Sequence, residues 1–124
     1  FEPSGRPTLL YVFAPGCGWC ARNLDNVKAI FAGARHSHRL VALSLASEAG
    51  GFVDEVAAAV RVLVQPSPAA IEAYRLGSTP TTLVISPEGR VVKSWVGAYV
   101  DVIGKEVEAY FNVRLPGVQP EGRN

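Results

Sequence analysis

Thr8-Leu9-Leu10-Tyr11-Val12-Phe13-Ala14-Pro15-Gly16-Cys17-Gly18-Trp19-Cys20 is the stretch of sequence that decides the fold of this chain. It begins with an unbroken apolar and β-prone run, residues 8–14, which is typical of a strand buried on both faces. Pro15 and Gly16 predict a turn after that strand. Two cysteines follow the turn, at the point where helical spacing begins. The stretch therefore predicts a buried strand, a turn and a cysteine pair at the start of a helix.

The cysteine pair has the arrangement of a redox-active dithiol. Cys17 and Cys20 are close enough in sequence to form a small disulfide, and the amide groups and dipole of a helix start stabilise the Cys17 thiolate once it opens. This chemistry needs no cofactor other than the Cys17–Cys20 disulfide. An inert structural disulfide and a metal site are the alternatives. These are the only two cysteines, whereas a structural zinc takes four ligands.

Two histidines strengthen the metal alternative. His36-Ser37-His38 begins sixteen residues after Cys20, and a cysteine pair with two histidines is a plausible ligand set for zinc or copper. However, both histidines follow the predicted end of the helix, about 20 Å from its start at a rise of ~1.5 Å per residue. The pattern therefore favours solvated loop histidines and predicts no metal site. A non-catalytic module that handles copper, or only binds a partner, is the rival interpretation.

Composition limits the partners and the size of the fold. The chain has 124 residues, 48% of them hydrophobic, which suits one domain, 1–124, with its core at about 8–112 and a loose tail at 113–124. Twelve basic residues against eleven acidic ones, with no basic run among aromatics, do not indicate nucleic acid or anionic lipid as a partner. No apolar stretch approaches the ~20 residues that span a bilayer, so this segment is expected not to insert into a membrane.

Helical and strand patterns alternate along the chain. Helical spacing from Cys17 to Gly33, followed by an apolar strand at 40–45, predicts a parallel βαβ unit with the cysteine helix as its crossover. A short helix over Phe52 to Val60 and a short strand at 61–65 follow. Ser67 and Pro68 predict the start of a helix that runs to Leu76 and is ended by Gly77. The last elements are an antiparallel hairpin of 81–86 and 90–96 around Pro87-Glu88-Gly89, and a helix carrying Val100, Ile103, Val107, Tyr110 and Phe111.

This order of elements resembles the thioredoxin superfamily. Residues 11–20 look like its active-site strand and loop, and residues 74–92, with Thr79-Pro80 before a hairpin, are similar to the cis-proline region of the TlpA and ResA branch. The resemblance covers about residues 8–112. It implies an α/β, thioredoxin-like fold whose mixed central sheet combines a parallel βαβ unit with a C-terminal antiparallel hairpin, flanked by helices.

The resemblance also implies roles for particular residues. Cys17 would be the exposed nucleophile, Cys20 the resolving thiol and Pro80 the cis-proline that faces them. Thr79 would offer its backbone to an extended substrate segment. The remaining implied site residues are Trp19, at a substrate-facing rim, and Pro15, Gly16 and Gly18 in the active-site loop.

The chain departs from the family pattern at three positions. Tyr11 stands where members often carry Asp or Asn, and Gly16 stands where many have tryptophan. Asn23 replaces a glutamate of ResA-like proteins, three residues after the second cysteine. The sequence therefore offers no obvious carboxylate as a proton acceptor for Cys20, with Glu72 or a water molecule as weak alternatives.

The implied function is thiol-disulfide exchange with protein substrates, in the reducing direction. The protein would be a monomer, and an upstream redox donor would reduce its disulfide again. The branch favours an exported bacterial protein of the periplasm that acts on partners such as apocytochrome thiols during cytochrome c maturation. Because the chain has no methionine, we expect Phe1 not to be the translational start. A membrane anchor upstream of Phe1 and a cytoplasmic location both stay open.

Overall fold

The computed structural model describes residues 5–56 and 60–116. Its strands are β1 Thr8–Phe13, β2 Arg39–Ser44, β3 Arg61–Val64, β4 Thr81–Ile85 and β5 Val91–Val96. Its helices are α1 Gly18–Arg22, α2 Leu24–Ala34, α3 Phe52–Glu55, α4 Pro68–Tyr74 and α5 Asp101–Phe111. None of the helices in the described part of the chain is long and apolar enough to cross a membrane.

The strands form one mixed sheet in the order β3-β2-β1-β4-β5. β1 and β2 are parallel, as are β2 and β3, whereas β4 is antiparallel to both β1 and β5. The predicted parallel βαβ unit and the predicted C-terminal hairpin are therefore both confirmed. β1 lies at the centre and all six of its residues are buried. Its central position explains why the run has no polar alternation, since both of its faces are covered.

Two apolar layers cover the two faces of the sheet. Tyr11 and Phe13 point to the layer formed with α2 and α5, which also contains Val27, Ile30, Phe31, Val107 and Phe111. Leu10 and Val12 point to the other layer, which contains Leu43, Leu76, Leu83 and Ile85. Cys20 belongs to the first layer. The disulfide is thus tied to the face covered by the two longest helices, each of eleven residues.

The predicted helix from Cys17 to Gly33 is interrupted at Asn23. Asn23 has φ −90° and ψ −1° and separates α1 from α2. Its side chain is drawn into buried hydrogen bonds, and asparagine competes in this way with the regular helical ladder. Gly33 does not end the helix, which continues to Ala34. Prediction of its end at Gly33 was wrong because the glycine serves packing there.

The other boundaries differ from prediction by a few residues. The hydroxyl of Ser67 accepts a hydrogen bond from the Ala70 amide at 3.1 Å, as expected of an N-cap. α4 ends before Gly77, because Arg75 adopts the left-handed conformation with φ 57°. α3 has only four residues. The rest of the predicted helix there, residues 57–59, lies outside the described residues.

The packed part of the chain extends beyond the expected limit at residue 112. Leu115 is 1% exposed and belongs to the larger core layer, and its amide donates to a carboxylate oxygen of Glu108 at 2.7 Å. Val113 packs against the same layer. Placing 113–115 in a loose tail was therefore wrong, because two apolar residues at alternate positions return to the core. Residues 117–124 lie outside the described residues.

Gly33 allows the segment after α5 to approach α2, and this generates a test. A Cβ added at Gly33 would clash with the Val113 side chain. Alanine ordinarily stabilises a helix interior by about 0.5–1 kcal/mol over glycine, but here we expect Gly33→Ala to destabilise the fold by about 1–2 kcal/mol through overpacking. Urea unfolding measures the change.

The control uses the same substitution with the obstacle removed. In a Val113→Ala background, Gly33→Ala is expected to stabilise the protein, so the sign of its effect should reverse. A stabilising Gly33→Ala in the wild-type background would contradict this account of the packing.

Candidate active site

The cysteine pair lies where β1 leads into α1, at the carboxyl end of the central strand. After β1 the chain turns at Pro15 and Gly16, and the Cys17 amide donates to the Ala14 carbonyl at 3.1 Å. Cys17 is the N-cap of α1, and Cys20 lies one turn into it. The predicted strand, turn and helix start therefore place the two cysteines together.

Cys17 and Cys20 form a disulfide, with their Cα atoms 5.2 Å apart. The two sulfurs have different environments: Cys20 is 8% exposed and part of the core, whereas Cys17 is half-buried. The Cys20 amide donates to Cys17 Sγ at 3.0 Å. Negative charge on the Cys17 sulfur would be stabilised by this amide.

Thr79 and Pro80 lie against the outer sulfur, just before β4. Cys17 Sγ is 3.7 Å from the carbonyl oxygen of Thr79, although the two residues are 62 positions apart in sequence. The Thr79–Pro80 peptide bond is cis. Pro80 is buried, and its carbonyl accepts a hydrogen bond from the Gly97 amide at 2.8 Å. The loop before β4 thus presents backbone polar groups beside the disulfide.

The loop on the other side of the disulfide is open to solvent. Pro15, Gly16, Gly18 and Trp19 are all exposed, and a Cβ at Gly16 or Gly18 would meet no atom within 4 Å. Trp19 is 53% exposed, and the Arg22 guanidinium lies 4.9 Å from its ring centroid. The large side chain of Trp19 is therefore accessible to solvent at the rim next to Cys17.

An apolar cavity of about 330 Å³ opens beside the two sulfurs. Cys17 and Cys20 form one wall, and residues 49–52, which lead from the segment after β2 into α3, form another. Phe13 and Phe52 stack in it with ring centroids 4.2 Å apart. Gly50 has φ +61°, and a Cβ there would approach Pro15 to 3.2 Å, so glycine lets this segment come close to the active-site turn. Sequence analysis did not find this cavity.

Behind Cys20, buried polar side chains form an uncharged hydrogen-bond network. Asn23 is 1% exposed, and its amide nitrogen donates to the Tyr11 hydroxyl at 3.3 Å. Its side-chain oxygen accepts from the Tyr99 amide at 2.9 Å and from the Asn26 side chain at 3.2 Å. The Tyr99 hydroxyl in turn pairs with the Thr82 hydroxyl at 2.5 Å. These groups satisfy one another without a charge.

Burial keeps the two tyrosines of this network protonated. It raises the pKa of Tyr11 to about 12, an effect that the hydrogen bond from Asn23 partly offsets. Burial also raises the pKa of Tyr99 well above its ordinary value. At neutral pH neither hydroxyl can take a proton from Cys20 as a carboxylate would.

The described carboxylates Glu72 and Glu55 differ in whether they reach the disulfide. Glu72 is exposed on α4, whose Ile71 packs on the face of the sheet opposite to Cys20, so the structure does not bring it to the disulfide. Glu55 of α3 lines the apolar cavity that both cysteines line. It also lies 3.6 Å from the Lys28 ammonium. No sequence pattern indicates Glu55, because α3 reaches the site only through the fold.

The histidines do not join the cysteines. His36 and His38 follow the C-terminal end of α2, whereas Cys17 and Cys20 lie at the start of α1. His38 packs on the Phe111 ring, with ring centroids 5.4 Å apart, and burial lowers its pKa. Within residues 5–56 and 60–116, no three His, Cys, Asp or Glu side chains are grouped so that they could hold a metal ion.

The raised pKa of Tyr11 predicts how the stability of the protein changes at alkaline pH. Its folded pKa of about 12 lies above the ordinary value of 10.0. The stabilisation of the fold that comes from this raised pKa is therefore complete below about pH 10 and is lost as pH rises towards 12. It amounts to at most about 3 kcal/mol for two pKa units. Between about pH 8 and pH 11 we expect the unfolding free energy of the wild type to fall more than that of Tyr11→Phe. Tyr99, present in both proteins, provides the common background, and an identical pH dependence would contradict the prediction.

Sequence comparison leaves the chain without a match: no protein-family model and no curated protein matches it. Solved structures do match the fold. StoA from Bacillus subtilis has a TM-score of 0.64 at 18% identity, covering 84% of this chain and 81% of its own. The exposed lipoprotein thioredoxin Etrx1 of Streptococcus pneumoniae strain TIGR4 has a TM-score of 0.65 at 21% identity, with 87% and 84% covered.

A secreted disulfide oxidoreductase of Mycobacterium tuberculosis is similar to the same extent. Its TM-score is 0.65 at 14% identity, covering 87% of this chain and 81% of that one. These likenesses extend over most of both chains in each pair. With the sheet order, the crossover helix and the position of the disulfide, they show that this chain has the thioredoxin-like fold.

Proposed function

We propose that this domain is a thiol-disulfide oxidoreductase that exchanges disulfides with protein substrates. One observation carries the proposal: the disulfide has a half-buried outer sulfur 3.7 Å from the Thr79 carbonyl and an inner sulfur in the core. An incoming sulfur therefore has access to Cys17 and not to Cys20. The structural neighbours named as oxidoreductase and thioredoxin support the same chemistry.

The reaction runs in the reducing direction through two exchanges. In the reduced domain, the Cys17 thiolate attacks one sulfur of a substrate disulfide, whose other sulfur leaves as a thiolate. The Cys20 thiol then loses its proton, and its thiolate attacks Cys17 Sγ. The substrate sulfur that was bonded to Cys17 leaves as a thiolate, and the Cys17–Cys20 disulfide forms. Two electrons have passed to the substrate, and an upstream dithiol donor restores the reduced domain by the reverse exchanges.

The groups around Cys17 suit an extended substrate segment. The Thr79 backbone beside the sulfur offers hydrogen bonds to the substrate main chain. Trp19, exposed at the rim, offers an apolar surface to its side chains. Pro80 closes the site without a backbone donor of its own. Binding through the main chain fixes the substrate sulfur in line with Cys17 and leaves the sequence of the segment variable.

The proposed setting is outside the cytoplasm. One structural neighbour is described as secreted and another as an exposed lipoprotein. We propose that this domain is an exported bacterial protein, monomeric, with or without an anchor upstream of Phe1. Its substrates are disulfides of particular partners, such as those that apocytochrome thiols form before cytochrome c maturation.

Trapping of the mixed disulfide tests the proposal directly. Cys20→Ser removes the resolving thiol, so it should accumulate a covalent complex between Cys17 and a model protein carrying one disulfide. Cys17→Ser should accumulate none, because its remaining sulfur is buried. Non-reducing electrophoresis and peptide mass spectrometry measure the complex. Equal trapping by the two variants would contradict the assignment of Cys17, and no trapping by either would contradict the function.

The acidity of Cys17 is a second test. In the reduced protein we predict a pKa below the ordinary value of about 8.5, because the Cys20 amide donates to Cys17 Sγ. Since the folded pKa is depressed, this stabilisation is present above the ordinary pKa and lost as pH falls through the folded one. Burial should place the pKa of Cys20 above the ordinary value.

Thiolate absorbance against pH measures these values, with Cys20→Ser isolating Cys17. Neither neighbour of Cys17 in sequence is basic, so we expect a modest shift and a potential towards the reducing end of this fold. A Cys17 pKa at or above about 8.5 would remove the argument from the helix start, and one near about 3.5 would indicate a dedicated oxidant.

A further inference from the structure

Four arginines converge at the end of the sheet opposite to the disulfide. Arg39 and Arg61 are the first residues of β2 and β3, and Arg6 lies two residues before β1. Because these three strands are parallel, their amino ends meet at one edge. The fourth, Arg35, is the C-cap residue of α2, the crossover helix that leads to β2. The topology thus collects at one edge arginines that are far apart in sequence.

Backbone hydrogen bonds hold these segments together. The Arg39 amide donates to the Pro7 carbonyl at 2.9 Å, which links the residue after Arg6 to the start of β2. The His38 amide donates to the Ala34 carbonyl at 2.8 Å, which closes the end of α2 and turns the chain into that strand. Arg61 lies in register with Val41 of β2. The arginines therefore start from a fixed backbone, which lowers the entropy cost of binding with them.

The arginines line a cavity and not a flat surface. A cavity of about 320 Å³ is bordered by the side chains of Arg6, Arg35, His38, Arg39 and Arg61. No carboxylate of the described residues lines it. Arg35 also lines a neighbouring cavity that contains Glu55 and Lys28. There the Lys28 ammonium lies 3.6 Å from the Glu55 carboxylate. The described lining therefore contains four arginines and no acidic residue.

The concentration of charge is not a consequence of a basic chain. The protein carries twelve Lys and Arg against eleven Asp and Glu. Four of the twelve lie on this cavity, so the rest of the chain has eight basic residues against eleven acidic ones and is net negative.

We propose that this cavity is a binding site for a phosphate-bearing anion. Guanidinium groups donate to phosphate oxygens in a planar, bidentate manner, and several that converge on one space match a tetrahedral oxyanion. The ligand is either a free phosphate compound or the phosphate of an anionic lipid headgroup. In the second case, the disulfide at the opposite edge of the sheet faces away from the lipid surface and stays accessible to partners. The proposal does not depend on the redox function.

The test compares two pairs of arginine substitutions of equal charge. Arg35→Gln with Arg61→Gln removes two cavity arginines that are exposed, so the fold should be unaffected. Arg90→Gln with Arg114→Gln removes two exposed arginines that do not line the cavity. Each protein is titrated with inorganic phosphate and with pyrophosphate, and amide chemical shifts report the affinity and the place of binding. Thermal unfolding confirms that the variants are folded.

We expect saturable shifts at the amides of residues 35–41 and 61, and an affinity about tenfold lower for the cavity pair. The control pair should stay within about twofold of the wild type. Absence of saturable binding, or an equal loss in both pairs, would overturn the proposal.

A vesicle arm identifies the source of the phosphate. The same proteins are sedimented with vesicles of phosphatidylcholine, with and without phosphatidylglycerol. Retention only on the anionic vesicles, lost in the cavity pair, assigns the site to a lipid headgroup. Binding of pyrophosphate without retention on either vesicle assigns it to a soluble phosphate compound. Retention that the cavity pair keeps and the control pair loses would contradict the site.

Discussion

The side chain of Asn23 is the constraint on which the active-site geometry depends. It lies directly after α1, it is buried, and it contacts three separate parts of the chain: the Tyr11 hydroxyl on β1, the Asn26 side chain on α2 and the Tyr99 amide before α5. The bond to Tyr99 spans 76 positions. Loss of one buried hydrogen-bond partner leaves the others unsatisfied, at about 1–3 kcal/mol for each group. Asn23 therefore fixes the helix that carries both cysteines against the central strand and the last helix.

The same network explains how a buried polar centre can lie behind Cys20 without a charge. A carboxylate there would exchange a proton with the inner thiol near neutral pH. Asparagine and tyrosine make comparable hydrogen bonds, and burial raises the pKa of Tyr11 to about 12, so its hydroxyl stays protonated well into the alkaline range. In the proposed exchange, the proton of Cys20 would therefore pass to water or to a group on the adjoining cavity, where Glu55 is the carboxylate that the described lining contains. The network gives rigidity and leaves acid–base chemistry to the open side of the disulfide.

Much of the fold could be predicted from local sequence, because the signals are local. The unbroken apolar run of 8–14 predicts a central strand, Ser67-Pro68 predicts a helix start, and Pro87-Glu88-Gly89 predicts the hairpin. Features that depend on contacts across the chain could not be read in this way. The sequence alone indicates that Gly33 ends a helix, whereas in the structure it makes room for Val113. The sequence alone likewise assigns Leu115 to the tail, whereas in the structure it is buried. For the site, the cysteine pair and Thr79-Pro80 were visible as motifs. Glu55 and the cavity of residues 49–52 were not, since a short helix brings them there.

The arginine cavity is another feature that local sequence does not predict, because it depends on charges brought together from distant parts of the chain. Along the sequence the basic residues are dispersed and nearly balanced by acidic ones, so no anionic partner was indicated. Parallel strands start at one edge of a sheet and end at the other, so residues at or just before the starts of β1, β2 and β3 meet in space although 55 positions separate Arg6 from Arg61. The fold places the disulfide where β1 ends and the arginines where the parallel strands begin. One sheet polarity thus produces two chemically different edges, so an anion at the proposed arginine site would leave the proposed thiol chemistry at the other edge unobstructed.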